Sequence, residues 1–277
     1  MLLAIDAGNT NTVLGLFRLA TDEAPAELVA DWRITTPLGQ TSDEIGVTLR
    51  SLFVSTGHEL SCVDGIAISS VVPPLDSTLR RACEIFFKVK PLFIEPGVKT
   101  GLPVLTDNPA EVGADRIVNC VAAFDKYGGP TIVVDMGTAT SFDVVSKRGE
   151  FLGGAIAPGL GIAADALFQR AARLPRIDVK KPSKVIGTGT VDNIQIGLYY
   201  GYIGLVDGIL KRMIAELGPE TKTVATGGLS KLIAPGSEYL SEIDEMLTLT
   251  GLRLIYEKNR DKHRDRRGAL PTVRPGA

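Results

Sequence analysis

Two stretches of this chain open in the same way, and together they restrict its fold more than any other feature. Met1–Ile5 is an apolar run that ends on Asp6 and the turn Ala7-Gly8-Asn9-Thr10, after which Asn11–Phe17 is largely apolar again. Thr131–Asp135, the turn Met136-Gly137-Thr138-Ala139-Thr140 and Ser141–Val145 repeat the scheme. Each reads as a β-hairpin whose first strand ends on an aspartate. Each half later holds a strand that ends in small polar residues: Gly65–Val72 runs through Ser69-Ser70, and Thr223–Thr226 leads into Gly227-Gly228-Leu229-Ser230. The repeated order points to an internal duplication.

The remaining elements make this an α/β chain. Leu28–Thr35 and Phe151–Ala157 read as third strands, and Pro91–Ile94 as a short one. Thr41 and Glu44 have capping-box spacing ahead of a helix with Ile45, Leu49, Leu52 and Phe53 on one face. A second helix is expected from about Asp76 to Phe87. Between the hairpins, Asn108, Pro109 and Glu111 carry a helix-start signature, so Asp115-Arg116 falls at or just inside the start of a helix striped by Ile117, Val121 and Phe124.

A turn of Gly, Asn and Thr brings backbone N–H groups close to a ligand with no side chain between them. Those groups and the hydroxyls of Thr10 or Thr138 can donate to phosphate oxygens. Asp6 and Asp135 would repel phosphate directly but can hold a cation, or its water, that does not. Two such turns facing each other would grip one polyphosphate; singly, each aspartate is as consistent with a hairpin start. Asp115, ionised beside a helix N-terminus, can accept the proton of an attacking hydroxyl, and Arg116 can clamp a carboxylate or phosphate. These residues alone leave open a capping aspartate beside a surface arginine.

Several classes fall away. With 30 Lys and Arg against 32 Asp and Glu, the net charge of −2 gives no field for nucleic acid or an anionic membrane. The cysteines Cys62, Cys83 and Cys120 form no CxxC pair, which favours a reducing compartment. No apolar run approaches the roughly 20 residues of a membrane span, and the apolar start before Asp6 is too short for a signal peptide, so a cytoplasmic protein is expected. Gly159-Leu160-Gly161-Ile162-Ala163-Ala164 matches a GxGxxA fingerprint, but Pro158 interrupts and the strand before it belongs to a hairpin, not a βαβ unit. No GxxxxGK[ST] sequence occurs, which excludes a P-loop kinase.

Four segments, in order, resemble the signatures of the type III pantothenate kinase family. They are Asp6-x-Gly8-Asn9-Thr10, Asn108-Pro109-x-x-Val112-Gly113-Ala114-Asp115-Arg116, Asp135-x-Gly137-Thr138-Ala139-Thr140 and Gly153-Gly154-x-Ile156-x-Pro158-Gly159, and the resemblance runs from residue 2 to about 256. It implies two duplicated actin-like (ribonuclease H-like) domains, each a mixed sheet flanked by helices, with a cleft between them. The expected division is 1–114, 115–256 and a basic, flexible tail at 257–277. It also implies ATP-dependent phosphorylation of the primary hydroxyl of pantothenate, the first step of coenzyme A synthesis, by a homodimer. The cofactors would be a monovalent cation, K+ or NH4+, and Mg2+ accompanying ATP.

By the same resemblance Asp6, Ala7, Gly8, Asn9, Thr10, Asn11, Thr12 and Val13 form the first phosphate loop, and Thr138 contributes to the second. Asp115 is the general base, and Gly113, Ala114, Asp115 and Arg116 line the pantothenate pocket. Asp135 ligates the monovalent cation, and Thr190 contacts substrate. One position departs: many relatives carry a tyrosine that touches pantothenate where this chain has Thr106. The competing classes are another small-molecule kinase on the same fold and a nonenzymatic nucleotide-binding regulator.

Overall fold

A computed structural model describes residues 1–171 and 174–264, with side chains described to residue 260. In chain order the elements are β1 (Leu2–Ala7), β2 (Asn11–Arg18), β3 (Glu27–Thr35), α1 (Ser42–Ser55), β4 (Gly65–Ser70), α2 (Pro73–Phe86), β5 (Leu92–Phe93) and α3 (Ala114–Tyr127). There follow β6 (Thr131–Met136), β7 (Ala139–Val145), β8 (Phe151–Pro158), α4 (Leu160–Arg170), α5 (Thr190–Leu217), β9 (Lys222–Thr226), α6 (Ser230–Ile233), β10 (Glu242–Ile243) and α7 (Leu247–Arg264). No helix among the described residues is long and apolar enough to cross a membrane.

The strands form two five-stranded mixed sheets, β3-β2-β1-β4-β5 and β10-β9-β6-β7-β8. Written in equivalent strands these are one order, so the duplication expected from the two hairpins is present in the topology. It extends to single residues. β1 and β6 share the burial sequence of four buried positions, a half-buried aspartate and a buried residue. Asp6 pairs in register with Ser69 of β4 on one side and Val13 of β2 on the other; Asp135 pairs with Thr226 of β9 and Ser141 of β7. The second hairpin reaches its partner strand one residue sooner, so its loop is tighter.

The chain packs as two compact units, and neither is continuous in sequence. The first comprises residues 1–101, 113–118 and 249 onward; the second comprises 102–112 and 119–248. In the first, β1 and β4 turn Leu3, Ile5, Ile66 and Ile68 toward Ile45, Leu49 and Phe53 of α1 and Leu75 and Leu79 of α2. Thr41 and Glu44 close the expected capping box, which stabilises the start of α1 by about 1 kcal/mol. Phe53, fully buried, stacks on Trp32 of the edge strand at 5.1 Å between ring centres, and such a side chain contributes about 1.5–3 kcal/mol by leaving water. On this sheet's other face α7 approaches closely enough that a Cβ at Gly15 would lie 2.8 Å from Leu249, and one at Gly65 1.9 Å from Tyr256.

In the second unit Ile132, Val134 and Met136 of β6 and Phe142 and Val144 of β7 pack on Tyr199, Tyr202, Ile203, Val206 and Leu210 of α5. α5 is a 28-residue helix whose first residue is Thr190 and whose N-cap is Gly189.

Two expectations about local structure change. Asn108-Pro109-x-Glu111 starts only a single 3-10 turn, Pro109–Glu111, with the Asn108 amide donating to Glu111 Oε1 at 2.7 Å. Val112 is extended behind it, so the long helix restarts at Ala114 and Asp115 lies in its first turn. The basic tail expected from 257 is helical as far as Arg264, with Asn259 buried and its amide donating to Lys99 O at 2.9 Å. Residues 265–277 lie outside the described residues.

Candidate active site

The first loop belongs wholly to the first unit. Gly8 N–H donates to Asn11 O at 3.0 Å, leaving Asn9 and Thr10 exposed at the tip. Thr36, just past β3, braces the loop from behind: its N–H donates to Thr10 O at 2.9 Å and its hydroxyl donates to Gly8 O. The same hydroxyl lies 3.2 Å from that of Thr12, and both threonines are buried. Their backbone and hydroxyl groups are thus spent on shaping the loop. Ser69, the register neighbour of Asp6, has a fully buried hydroxyl without a hydrogen-bond partner among the described residues.

The second loop has the equivalent brace from a different source. Gly137 N–H donates to Ala139 O at 3.0 Å, and Thr138 is exposed. Thr140, which stands where Thr12 stands, is fully buried and hydrogen-bonded to the hydroxyl of Tyr202 on α5. Gly159, the N-cap of α4, presses against this loop: a Cβ there would lie 2.2 Å from Thr138 O. The glycine cluster before α4 therefore serves close backbone approach. Pro158 ends β8 in a hairpin with β7, and α4 begins at Leu160, so no βαβ dinucleotide crevice exists there.

Asp135, at the end of β6, is held on both sides within the second unit. The Asn119 amide of α3 donates to its Oδ2 at 3.1 Å, and the Thr248 hydroxyl donates to Asn119 Oδ1 at 2.7 Å. Its Oδ1 faces Gly227, where φ is +87° and a Cβ would fall 2.5 Å from that oxygen, and Gly137, where a Cβ would fall 3.7 Å away. The carboxylate oxygen thus fits a notch that exists because both positions are glycine, and a carboxylate is an anionic oxygen donor of the kind a cation takes. No three His, Cys, Asp or Glu side chains gather into a metal cluster among the described residues.

Asp115 lies in the first turn of α3, in the part of that helix counted with the first unit. Its Oδ1 accepts from Arg116 N–H at 2.8 Å and lies where a Cβ at Gly113 would come within 2.6 Å. The helix start is not the only influence on this carboxyl. Burial pushes the Asp115 carboxyl above its usual value, against the opposing pull of the Arg116 N–H and guanidinium. A raised pKa brings a general base closer to working pH.

The site residues expected from sequence fall into two groups. The Asp6–Val13 loop, Gly113, Ala114, Asp115 and Arg116 belong to the first unit; Asp135, Thr138 and Thr190 belong to the second, with Thr190 exposed. Thr106 also lies in the second unit, its hydroxyl buried and without a partner among the described residues. Sequence inspection passed over Thr36, Tyr202, Thr248 and Asn119. Only Asn119 offered a signal, a polar residue one turn after Asp115 inside the apolar stripe of α3.

The family model of type III pantothenate kinase matches residues 2–212. The chain belongs to the type III pantothenate kinase family. Type III pantothenate kinases of Acidobacterium capsulatum and Koribacter versatilis are each 60% identical to it, over 272 and 274 residues. The first alignment covers 97% of this chain and all of the relative, and the second 96% and 98%. Members of this pantothenate kinase family transfer phosphate to the pantothenate hydroxyl. Among solved structures, the activator of 2-hydroxyisocaproyl-CoA dehydratase from Clostridium difficile, with bound ADPNP, superposes with a TM-score of 0.52 at 12% identity, covering 98% of each chain. The fold is the actin-like ATPase and sugar kinase fold.

Proposed function

We propose that this chain transfers the γ-phosphoryl group of ATP to the primary hydroxyl of pantothenate, with Asp6, Asp115 and Asp135 as its functional carboxylates. The observation that carries this assignment is the doubled strand–aspartate–glycine turn, with Asp6 and Asp135 at equivalent register positions of equivalent sheets. The Asp6–Val13 loop and Thr138 donate to the phosphate tail. Backbone donors that need no reorganisation are the main catalytic resource when the transition state is loose. Asp115 orients the pantothenate hydroxyl and takes its proton late, and its buried, proton-attracting carboxyl supports that role. Gly113, Ala114, Arg116 and Thr190 contact pantothenate, with Arg116 suited to the substrate carboxylate.

Asp135 holds a monovalent cation, K+ or NH4+, through the oxygen in the glycine notch, and that cation supplies positive charge beside the phosphates. Mg2+ enters with ATP as part of the substrate. The enzyme works in the cytoplasm as a homodimer. A second copy is supported by exposed apolar side chains on the edge strand β8, where Ile156 is 65% exposed, and by Ile186 at 83%. The test is ADP release from ATP with pantothenate, in KCl and then in NaCl at equal ionic strength. Turnover with pantothenate that is greater in KCl supports the assignment; turnover with a sugar or another alcohol instead, or none with any acceptor, overturns it.

A further inference from the structure

Each hairpin turn has a buried threonine at its exit, and each of these threonines is tied to a hydroxyl from outside the hairpin. Thr12 pairs in register with Ala7 and Thr140 with Met136, so the two stand at the same foot of the two turns. Thr12 meets Thr36 just past β3, and Thr140 meets Tyr202 on α5. Thr36 and Tyr202 belong to unrelated segments, so the duplicated halves reach one arrangement by different routes. Stability alone does not call for it, because two facing apolar groups of that shape would be neutral or stabilising. Packing is non-directional, whereas a hydrogen bond fixes an orientation. At the second turn, Met136 is fully buried in the core at the entry and Tyr202 holds the exit. Gly159 presses on Thr138 O between them, where a Cβ would lie 2.2 Å away. The turn at residues 137–139 is thus held at three points, with Thr138 exposed.

We propose that Tyr202 is the positioning residue of the second phosphate loop: its hydroxyl, acting through Thr140, fixes the turn in the geometry that meets the nucleotide's phosphates. The inference rests on Thr138 and its turn as a phosphate loop. Donors that are already aimed need no reorganisation when the phosphates arrive, and the tether supplies that preorganisation. Without the Tyr202 hydroxyl the foot of the turn shifts and nucleotide binding weakens. Pantothenate binding is spared, because a phenyl ring at 202 keeps α5 packed on β6 and β7.

The test uses the full chain as Tyr202→Phe, as the double variant Tyr202→Phe with Thr140→Val, and as Thr138→Ala. Urea unfolding, the KM values for ATP and pantothenate, and the Kd of ADPNP, a non-hydrolysable ATP analogue, with Mg2+ are measured. In Tyr202→Phe the ATP KM and the ADPNP Kd rise about tenfold, as for one lost hydrogen bond, while the pantothenate KM changes by less than about threefold. The double variant strands no hydroxyl, so it takes the place of Tyr202→Phe if that one does not fold. It regains stability yet keeps the raised ATP KM and ADPNP Kd. A double variant with both values within about threefold of the wild type makes Tyr202 only the partner of a buried hydroxyl and overturns the proposal. An equal rise in the pantothenate KM, the mark of a general distortion, overturns it too. Weaker ADPNP binding in Thr138→Ala beside wild-type binding in the double variant keeps the phosphate loop and removes the positioning role. If none of the variants changes ADPNP binding, the second turn is not a phosphate loop, and the positioning role falls with it.

Discussion

Replacing Asp115 by Asn should have opposite effects on activity and stability. The amide keeps an oxygen that can accept from Arg116 N–H, as Asp115 Oδ1 does at 2.8 Å, so the first turn of α3 is preserved. It cannot take a proton from the pantothenate hydroxyl. General-base assistance contributes a factor of about 10²–10⁴, or about 3–5 kcal/mol of barrier, and kcat should fall by that factor with little change in the KM for ATP. Stability moves the other way because burial raises the Asp115 carboxyl pKa. The folded state then binds this proton more tightly than the unfolded chain does. The contribution to stability is full below the unfolded value and is lost as pH rises through the raised folded value. At neutral pH the folded protein carries a desolvated charge that Asn removes, so Asp115→Asn should melt at a higher temperature than the wild type. The difference should shrink as pH falls toward the ordinary carboxylate range. Coupled ADP release and thermal melts across pH read both effects. Turnover within about tenfold of the wild type would exclude Asp115 as the base, and a neutral-pH Tm below the wild type's would refute the burial argument.

Two further substitutions test the second loop. Gly227→Ala places a Cβ 2.5 Å from Asp135 Oδ1 at a φ of +87°, where the backbone term alone costs about 1–2 kcal/mol. Its Tm should fall by at least about 4 °C and its potassium response should weaken, and a Tm within about 1 °C of the wild type counts against the notch. Tyr202→Phe strands the buried Thr140 hydroxyl and should cost about 1–3 kcal/mol in urea unfolding. Adding Thr140→Val, so that both partners are apolar, should recover most of that loss; a double variant as unstable as the sum of the two would show the pair to be independent.

Local chemistry in the sequence was enough to place β1, β2, β6 and β7, the capping box of α1, and Asp115 at a helix start, because periodicity, turn residues and caps act over a few neighbours. The duplication was legible for the same reason: both hairpins repeat the same local rules, and the two sheets then repeat one strand order. Asn108-Pro109 shows where local rules stop. It caps a single turn because extended Val112 ends the hydrogen bonding before Ala114 begins α3. What only the tertiary structure decided is how each carboxylate is held. Asn119 reaches Asp135 from 16 residues away, and Thr248 reaches Asn119 from 129. The packing of α7 on the first sheet, with Tyr256 against Gly65, likewise joins segments far apart in sequence. Asp115 was read as an ionised base beside a helix N-terminus, and the burial that raises its carboxyl pKa comes only from packing. Burial and long-range hydrogen bonds depend on neighbours supplied by distant segments, and those neighbours exist only once the chain has packed.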